Sequence, residues 1–513
     1  MKTTIVVAMV LAAFAGVLYA AGPQPESFPI IAVLPQLDRL QKWNDMAGDT
    51  ADPFWADDDN LYLFTCDGRG FGKDRRNLCF NKLTGPDLLN LNGTLVNPMD
   101  YGKADEERKE DDATWKITGQ ECIDGVFYGF VVRNVYGKKS KDPLMRQTSF
   151  NASLIKSLDR GLTWTRSSRE NFEKPMWPGT RFGAPCFIHY GKNGGQVAYD
   201  NADKYVYALS NNGFWNGGDD FILARVRRVD LPKLRAADWT YYTGGEGLTD
   251  AAWSPDLAKA KPILQRPAKL GWTAPAFIPA LNRYLLVSWY VTPTLKKWFE
   301  PQRVVYDFFE AEHPWGPWTF VSSFDDRFLG IGQHMYGPNL CAKYQEKQGD
   351  DVKMDLYTSG CPFRDVKTGL YKNWRIPLTV KTRPLPPAML VNDDDPAIRY
   401  AGQWQALKRP ERQYHQGDIH ATMTAGDSVE FAFSGTGIEL ISEKFNDMGT
   451  MEVFIDGRSC GTINLRQDDF PRLVQVTVFS ERGLPAGSHT IRLVNRTAAW
   501  ATVDAFTVIK DGN

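Results

Sequence analysis

A strand–turn–strand unit recurs five times along this chain, and that recurrence constrains the fold more than any other feature. Each copy sets a short apolar strand before a second strand rich in Tyr, Phe, Leu and Val. The copies begin at Asp52 (DPFWADDDNLYLF), Thr114 (TWKITGQECIDGVFYGFVV), Ala184 (APCFIHYGKNGGQVAYDNADKYVYAL), Ala274 (APAFIPALNRYLLVSWY) and Gly337 (GPNLCAKYQEKQGDDVKMDLY). Pro53, Pro185, Pro275 and Pro338 mark four of the entrances, and from Pro53 to Pro338 the five copies span four intervals averaging about 71 residues. A fixed element order repeated in this way marks a repeat architecture. Antiparallel units joined by loops of variable length point to propeller blades. The expected fold is all-β: a five-bladed β-propeller over residues 22–385, then a β-sandwich (jelly-roll) domain over 391–513.

The boundary is drawn by composition. TRPLPPAML and the turn NDDDP at Asn392–Pro396 form a Pro-rich break. Beyond it, SVEFAFSGTGIELIS, GTMEVFIDGRSCGTINL, RLVQVTVF, HTIRLVN and TVDAFTVI alternate as short strands. Residues 1–21 read as a secretory signal, with Lys2, an apolar run from Ile5 to Val17, and a small-residue cleavage zone ending at Ala21. No later stretch is apolar and long enough to span a bilayer. The mature protein is therefore expected to be exported, secreted or periplasmic, and monomeric. With 60 basic against 61 acidic side chains and no basic block, no nucleic-acid partner is expected. Seven cysteines permit disulfides in an exported chain. Cys66 with Cys79, and Cys341 with Cys361, come within bridging reach if their strands pair antiparallel.

Ser157–Trp164 matches S-x-D-x-G-x-T-W, the Asp box of sialidase-like propellers, in which the Asp and Ser hold a turn between a blade's third and fourth strands. Asp159 is accordingly assigned a structural role. His313–Trp318 is expected to close blade four in the same manner. In a propeller, strand entrances share one face with the loops joining second to third strands, and function concentrates on such loops. Glycoside cleavage needs one carboxyl as acid and a second as nucleophile or base. On the entrance face the catalytic candidates are Asp52, Asp67 and Asp112. Substrate-binding candidates are Arg133, Arg181, Trp215, Asp219, Asp220, Tyr290, His334, Tyr336 and Asn339. Arginines there suit an anionic sugar or a carboxylate clamp, and aromatic rings suit the C–H faces of sugars. No Cys/His cluster suggests zinc, and no metal ligand is assigned.

FWADDDNLYLFTCDG, FILARV…DWTYYTGG and YGPNL resemble a family of secreted five-bladed propellers, long of unknown function, some of which are glycoside hydrolases cleaving D-arabinan. The resemblance covers most of residues 45–382. Asp52 matches the blade-one position at which propeller arabinanases and fructosidases place a catalytic carboxylate; their acid motifs in later blades are absent. GDSVEFAFSGTGIELI, MEVFIDG, LPAGSHTIRLVN and VDAFTV resemble the galactose-binding-like jelly rolls appended to carbohydrate-active enzymes. That resemblance implies glycan contacts at Trp404, Tyr414, His420 and Trp500, and calcium as the one cofactor to consider. The expected activity is glycoside hydrolysis of a polysaccharide or oligosaccharide. Asp52 would be nucleophile or base, and Asp112 or Asp67 the acid. Two alternatives stay open: a polysaccharide lyase with Tyr336 or His334 as base, and a non-catalytic glycan-binding protein.

Overall fold

The computed structural model describes residues 28–510 apart from 44–45, 51, 86–90, 102–110, 140, 143, 145, 197–203, 246–250, 293–302, 331–334, 361–371, 383–387, 413 and 467–471. Five antiparallel sheets follow one another as blades. Blade one pairs Ala47–Asp49 and Phe54–Trp55 with Leu61–Gly70, followed by Arg76–Thr84 and Asn92–Asn97. Blade two holds Thr114–Ile123, Val126–Val135 and Thr148–Ser157. Blade three holds Ala184–Phe187, Tyr205–Asn211, Gly218–Arg227 and Trp239–Gly244, and blade four Ala276–Ile278, Arg283–Thr292, Arg303–Ala311 and Thr319–Asp325. Met335–Gln348, Asp351–Gly360 and Lys372–Lys381 form blade five.

Blade five takes its outer strand from the other end of the chain. Ala32–Pro35 pairs antiparallel with Lys372–Lys381, with Val33 opposite Val380, and closes the ring. Val33 also donates its backbone N–H to Ser322 Oγ of blade four at 2.8 Å. The propeller therefore takes in residues well ahead of the first sequence repeat. Apolar side chains of all the later blades, Val33 among them, share one continuous core.

The Asp box behaves as its sequence implies. Asp159 accepts from Ser157 Oγ at 2.8 Å, Thr163 N at 2.9 Å and Thr163 Oγ1 at 2.6 Å. Trp164 packs against Phe64 and Phe80, with ring centroids at 5.0 and 5.1 Å. The Cys66–Cys79 bridge does not form. In the antiparallel register Cys66 faces Leu78 and Cys79 faces Thr65. The offset of one residue points the two thiols to opposite faces of the sheet, and both are free and buried. Cys361 lies outside the described residues, as does the signal segment. No helix among the described residues is long and apolar enough to cross a membrane.

Beyond the linker, one sheet is ordered Ala388–Asn392, Ala505–Ile509, Ser428–Lys444, Leu473–Asn495, Thr450–Ile455, Arg458–Asn464. It packs with a smaller sheet of Gln405–Lys408, Asp418–Thr422 and Ala501–Val503 around a separate core that includes Phe431, Leu440, Val453, Leu493 and Phe506. The β-sandwich expected from the alternating pattern is present.

The closing strand gives a test. Val33 is 1% exposed, so Val33→Asp sets an unpartnered carboxylate in the seam. It is expected to cost about 3 kcal/mol or more in urea unfolding. The exposed control Val229→Asp is expected to stay within about 0.5 kcal/mol.

Candidate functional site

Strand position sets the depth of each axial side chain, because every residue advances about 3.3 Å along a strand. Asp49 is third in its strand, opposite Cys66. Lys116 is third in the inner strand of blade two, and Tyr336 second in that of blade five. These residues share one level just beneath the entrance face, joined by Asp67 near the end of Leu61–Gly70. Glu121 stands eighth in its strand, and His189 lies past the end of Ala184–Phe187. Asp52 follows a break in the inner strand of blade one. This second group lies deeper.

In the upper cluster Tyr336 donates its phenolic O–H to Asp49 Oδ2, and the Tyr336 ring stacks on Trp289 at 5.6 Å. Lys116 Nζ forms an ion pair with Asp67 Oδ2. Tyr136 donates to the same Asp67 oxygen at 3.1 Å, and its ring lies 5.7 Å from the Lys116 ammonium. A local glycine makes the crowding feasible: a Cβ on Gly68 would stand 2.1 Å from Ala47 O. The two carboxyls differ in surroundings. Asp49 Oδ1 is buried without a hydrogen-bond partner among the described residues. Burial pushes the Asp49 carboxyl up to about 7; the Lys116 charge opposes the shift and the Asp67 charge adds to it. Burial works against the Lys116 charge as well, yet Asp67, Tyr136, Cys66 and Asp49 together outweigh it and hold the ammonium well above its usual range.

The deeper group is a buried chain of three ionisable side chains. His189 Nε2 lies 2.9 Å from Asp52 Oδ1, and His189 Nδ1 lies 2.7 Å from Glu121 Oε2. Glu121 Oε1 accepts from Cys122 N at 2.8 Å. Burial disfavours the imidazolium, but the two carboxylates outweigh it and raise His189 to about 10. Burial raises Glu121. Asp52 is 1% exposed, and its Oδ2 is buried without a hydrogen-bond partner among the described residues.

The remaining candidates sit apart from both groups. Arg133 is buried, chelates Asp111 at 2.6 and 3.0 Å, and lies 4.6 Å from the Trp115 ring. Asp112 is exposed and pairs with Lys139. Arg181 pairs with Asp220 at 2.7 Å, and Asp219 with Arg146 at 2.8 Å. Trp215 is buried against Trp272, and Tyr290 is half-buried with Lys269 over its ring. Asn339 is buried and accepts from Ala274 N at 3.2 Å, tying blade five to blade four. His334, with the neighbouring loop, lies outside the described residues.

Of the sequence candidates, the structure brings Asp67 and Tyr336 together, through Asp49 and Lys116. It places Asp52 one layer deeper, because the inner strand of blade one starts at Ala47 and takes Asp49 to the entrance level. His189 and Glu121 escaped the sequence analysis. His189 follows the apolar run CFI just past its strand, and that misfit is the signal by which it could be found; Glu121 lies among polar neighbours (TGQECI) and carries no such signal. In the C-terminal module His420 stacks on Tyr400 at 4.1 Å and Trp404 lies 5.1 Å from Tyr400. Tyr414 is buried and donates to Glu443, and Trp500 packs partly against the core. Among the described residues there is no group of three or more His, Cys, Asp or Glu side chains placed to hold a metal ion.

The family described as "Carbohydrate esterase 2 N-terminal" matches residues 413–512. Two curated proteins of Flavonifractor plautii are similar over short stretches. "A type blood N-acetyl-alpha-D-galactosamine deacetylase" is 32% identical over 111 residues, 22% of this chain. "A type blood alpha-D-galactosamine galactosaminidase" is 33% identical over 103 residues, 20% of this chain. The matches span 14% and 9% of those relatives. Among solved structures, an exo-beta-1,3-galactanase from Phanerochaete chrysosporium with beta-1,3-galactotriose is 10% identical, covering 94% of this chain and 100% of that one, at a TM-score of 0.40. A family two carbohydrate esterase from Cellvibrio japonicus is 14% identical, covering 25% of this chain and 35% of that one, at 0.19. At these scores the fold assignment rests on the chain's own sheets.

Removing His189 leaves two carboxylates buried together, so His189→Ala is expected to cost about 3–5 kcal/mol. Its folded value near 10 lies above the ordinary 6.5. The stabilisation is therefore full below pH 6.5 and lost as pH rises through about 10. Denaturant midpoints at pH 6, 8 and 10 should converge for the wild type and His189→Gln as pH rises.

Proposed function

We propose that this chain is an exported, glycan-active enzyme, a glycoside hydrolase that works at the entrance-level cluster of its propeller. The observation that carries the proposal is the contrast between two neighbouring carboxyls. Environments that push paired carboxyls apart are how one site supplies both acid and base. Asp49 is desolvated, raised to about 7, and bonded by Tyr336. It suits the proton donor to a departing sugar oxygen. Asp67, in its ion pair with Lys116, suits the carboxylate that acts as base or nucleophile. Asp52, the residue expected from sequence to act as nucleophile or base, is assigned a supporting place one layer below. Asp112, exposed on its loop, stays outside the chemistry.

The curated relatives are enzymes named for galactosamine-bearing glycans, and the matched family is named for carbohydrate esterases. These likenesses support a carbohydrate partner. The family match falls entirely in the sandwich, which is proposed as a glycan-binding module with Tyr400, Trp404 and His420 as its aromatic contact.

An uncharged glycan suits the entrance better than a uronate. A lyase requires a cation to neutralise the uronate carboxylate. Arg133, Arg146 and Arg181 are each engaged by aspartates, and Lys116 is held by Asp67. The Tyr336 phenol is committed to Asp49.

The test is digestion of a glycan panel, read for reducing ends and for ultraviolet-absorbing products. The proposal predicts new reducing ends without absorbance. Asp49→Asn is expected to lower kcat by about 10²–10⁴-fold. Asp49 must be protonated to act, so wild-type kcat/KM should fall as pH rises through about 7. Absorbing products would establish the lyase. Binding to the panel without turnover would establish the non-catalytic alternative.

A further inference from the structure

The inner strand of blade one is broken where the other inner strands run on. Ala47–Asp49 and Phe54–Trp55 are separate pairings with the same neighbour. Within the break Thr50 has φ of 63°. A left-handed conformation at a β-branched residue costs on the order of 1–3 kcal/mol and persists only where the surroundings fix it. Both ends of the break are held. Asp49 is held by Tyr336 of blade five. Asp52 is held by His189 of blade three, which is gripped in turn by Glu121 of blade two. The backbone of His189 is fixed on both sides to blade four: its N–H donates to Pro275 O at 2.8 Å, and its carbonyl accepts from Phe277 N at 3.0 Å. The clamp on Asp52 is thus anchored in three blades other than its own.

We propose that His189 and Glu121, acting through Asp52, are positioning residues for Asp49. The chain Asp52–His189–Glu121 pins the lower end of the blade-one break and so keeps the Asp49 carboxyl under Tyr336 and close to Lys116. This rests on the proton-donor role proposed for Asp49. If the clamp loosens, Asp49 gains access to water and loses the burial that makes it a proton donor at neutral pH. The charges acting most strongly on Asp49 are those of Lys116 and Asp67. A change in Asp49 titration on altering the clamp therefore reports position.

Glu121→Gln is the first variant: its amide oxygen can still accept from His189, its NH2 then faces the Cys122 N–H, and circular dichroism checks that the fold is kept. Asp52→Asn is the second. On a glycan cleaved by the wild type, each is expected to lower kcat about 10–100-fold, as small misplacements of catalytic groups do. KM should stay within about threefold, and the alkaline limb of the pH profile should move down by a unit or more. The parallel readout needs no substrate. The carbonyl stretch of the protonated Asp49 carboxyl, assigned by its absence in Asp49→Asn, is followed by infrared titration. It should titrate near 7 in the wild type and at lower pH in both variants, with unchanged circular dichroism. An unmoved titration in folded Glu121→Gln and Asp52→Asn proteins would overturn the positioning role, as would a loss of kcat with the alkaline limb fixed. If Asp49→Asn keeps full activity, the proton-donor role fails, and the infrared comparison still decides whether the clamp positions Asp49.

Discussion

The bonds from His189 to Asp52 and Glu121 are the interaction on which the rest of this propeller depends. An imidazolium and two carboxylates out of water carry a desolvation cost of several kcal/mol per ion. Mutual attraction offsets that cost only where the geometry is tight, and the contacts of 2.9 and 2.7 Å provide it. One side chain joins blades one, two and three, and its backbone joins blade four. Asn339 carries the connection from blade four to blade five. Around this charged axis the blades pack by ordinary apolar burial, and the N-terminal strand completes the ring.

The same axis explains why the entrance can hold two carboxyls of different character. A continuous inner strand in blade one would send alternate side chains to opposite faces. The break at Thr50 lets Asp49 and Asp52 serve separate layers three residues apart. Asp49 ends buried and bonded by the Tyr336 phenol, whose ring stacks on Trp289, while Asp67 ends against an ammonium and a phenol. Arg133, Arg146 and Arg181 on this face lie in ion pairs with aspartates.

Much of the architecture was legible in the sequence, for physical reasons. The recurring strand–turn–strand unit and Pro-marked entrances disclosed the blades, and the Asp box located a blade-two turn to the residue. The Pro-rich linker separated the sandwich. The closing strand was not legible, because Ala32–Pro35 is four residues long and finds its partner some 340 positions away. The candidate site was legible in part. Asp67 and Tyr336 were found because they flank predicted loops. Asp49 was missed because the strand entrance was set at Asp52, and a backbone break leaves no periodic trace. His189 stands just past an apolar run, and Glu121 lies inside a mixed strand whose sequence does not show that it is buried. The Cys66–Cys79 expectation failed on a single step of register, which spacing does not fix.

The sandwich and the propeller divide the work proposed for them, with adhesion in one and cleavage in the other. The most direct test of that division is a crystal structure of the Asp49→Asn protein with a neutral oligosaccharide from the substrate panel. A sugar ring seated at the entrance, with a glycosidic oxygen about 2.6–3.2 Å from the residue-49 side chain and Asp67 at the reacting carbon, is the predicted result. Sugar bound to the sandwich alone, with the propeller entrance empty, would contradict it.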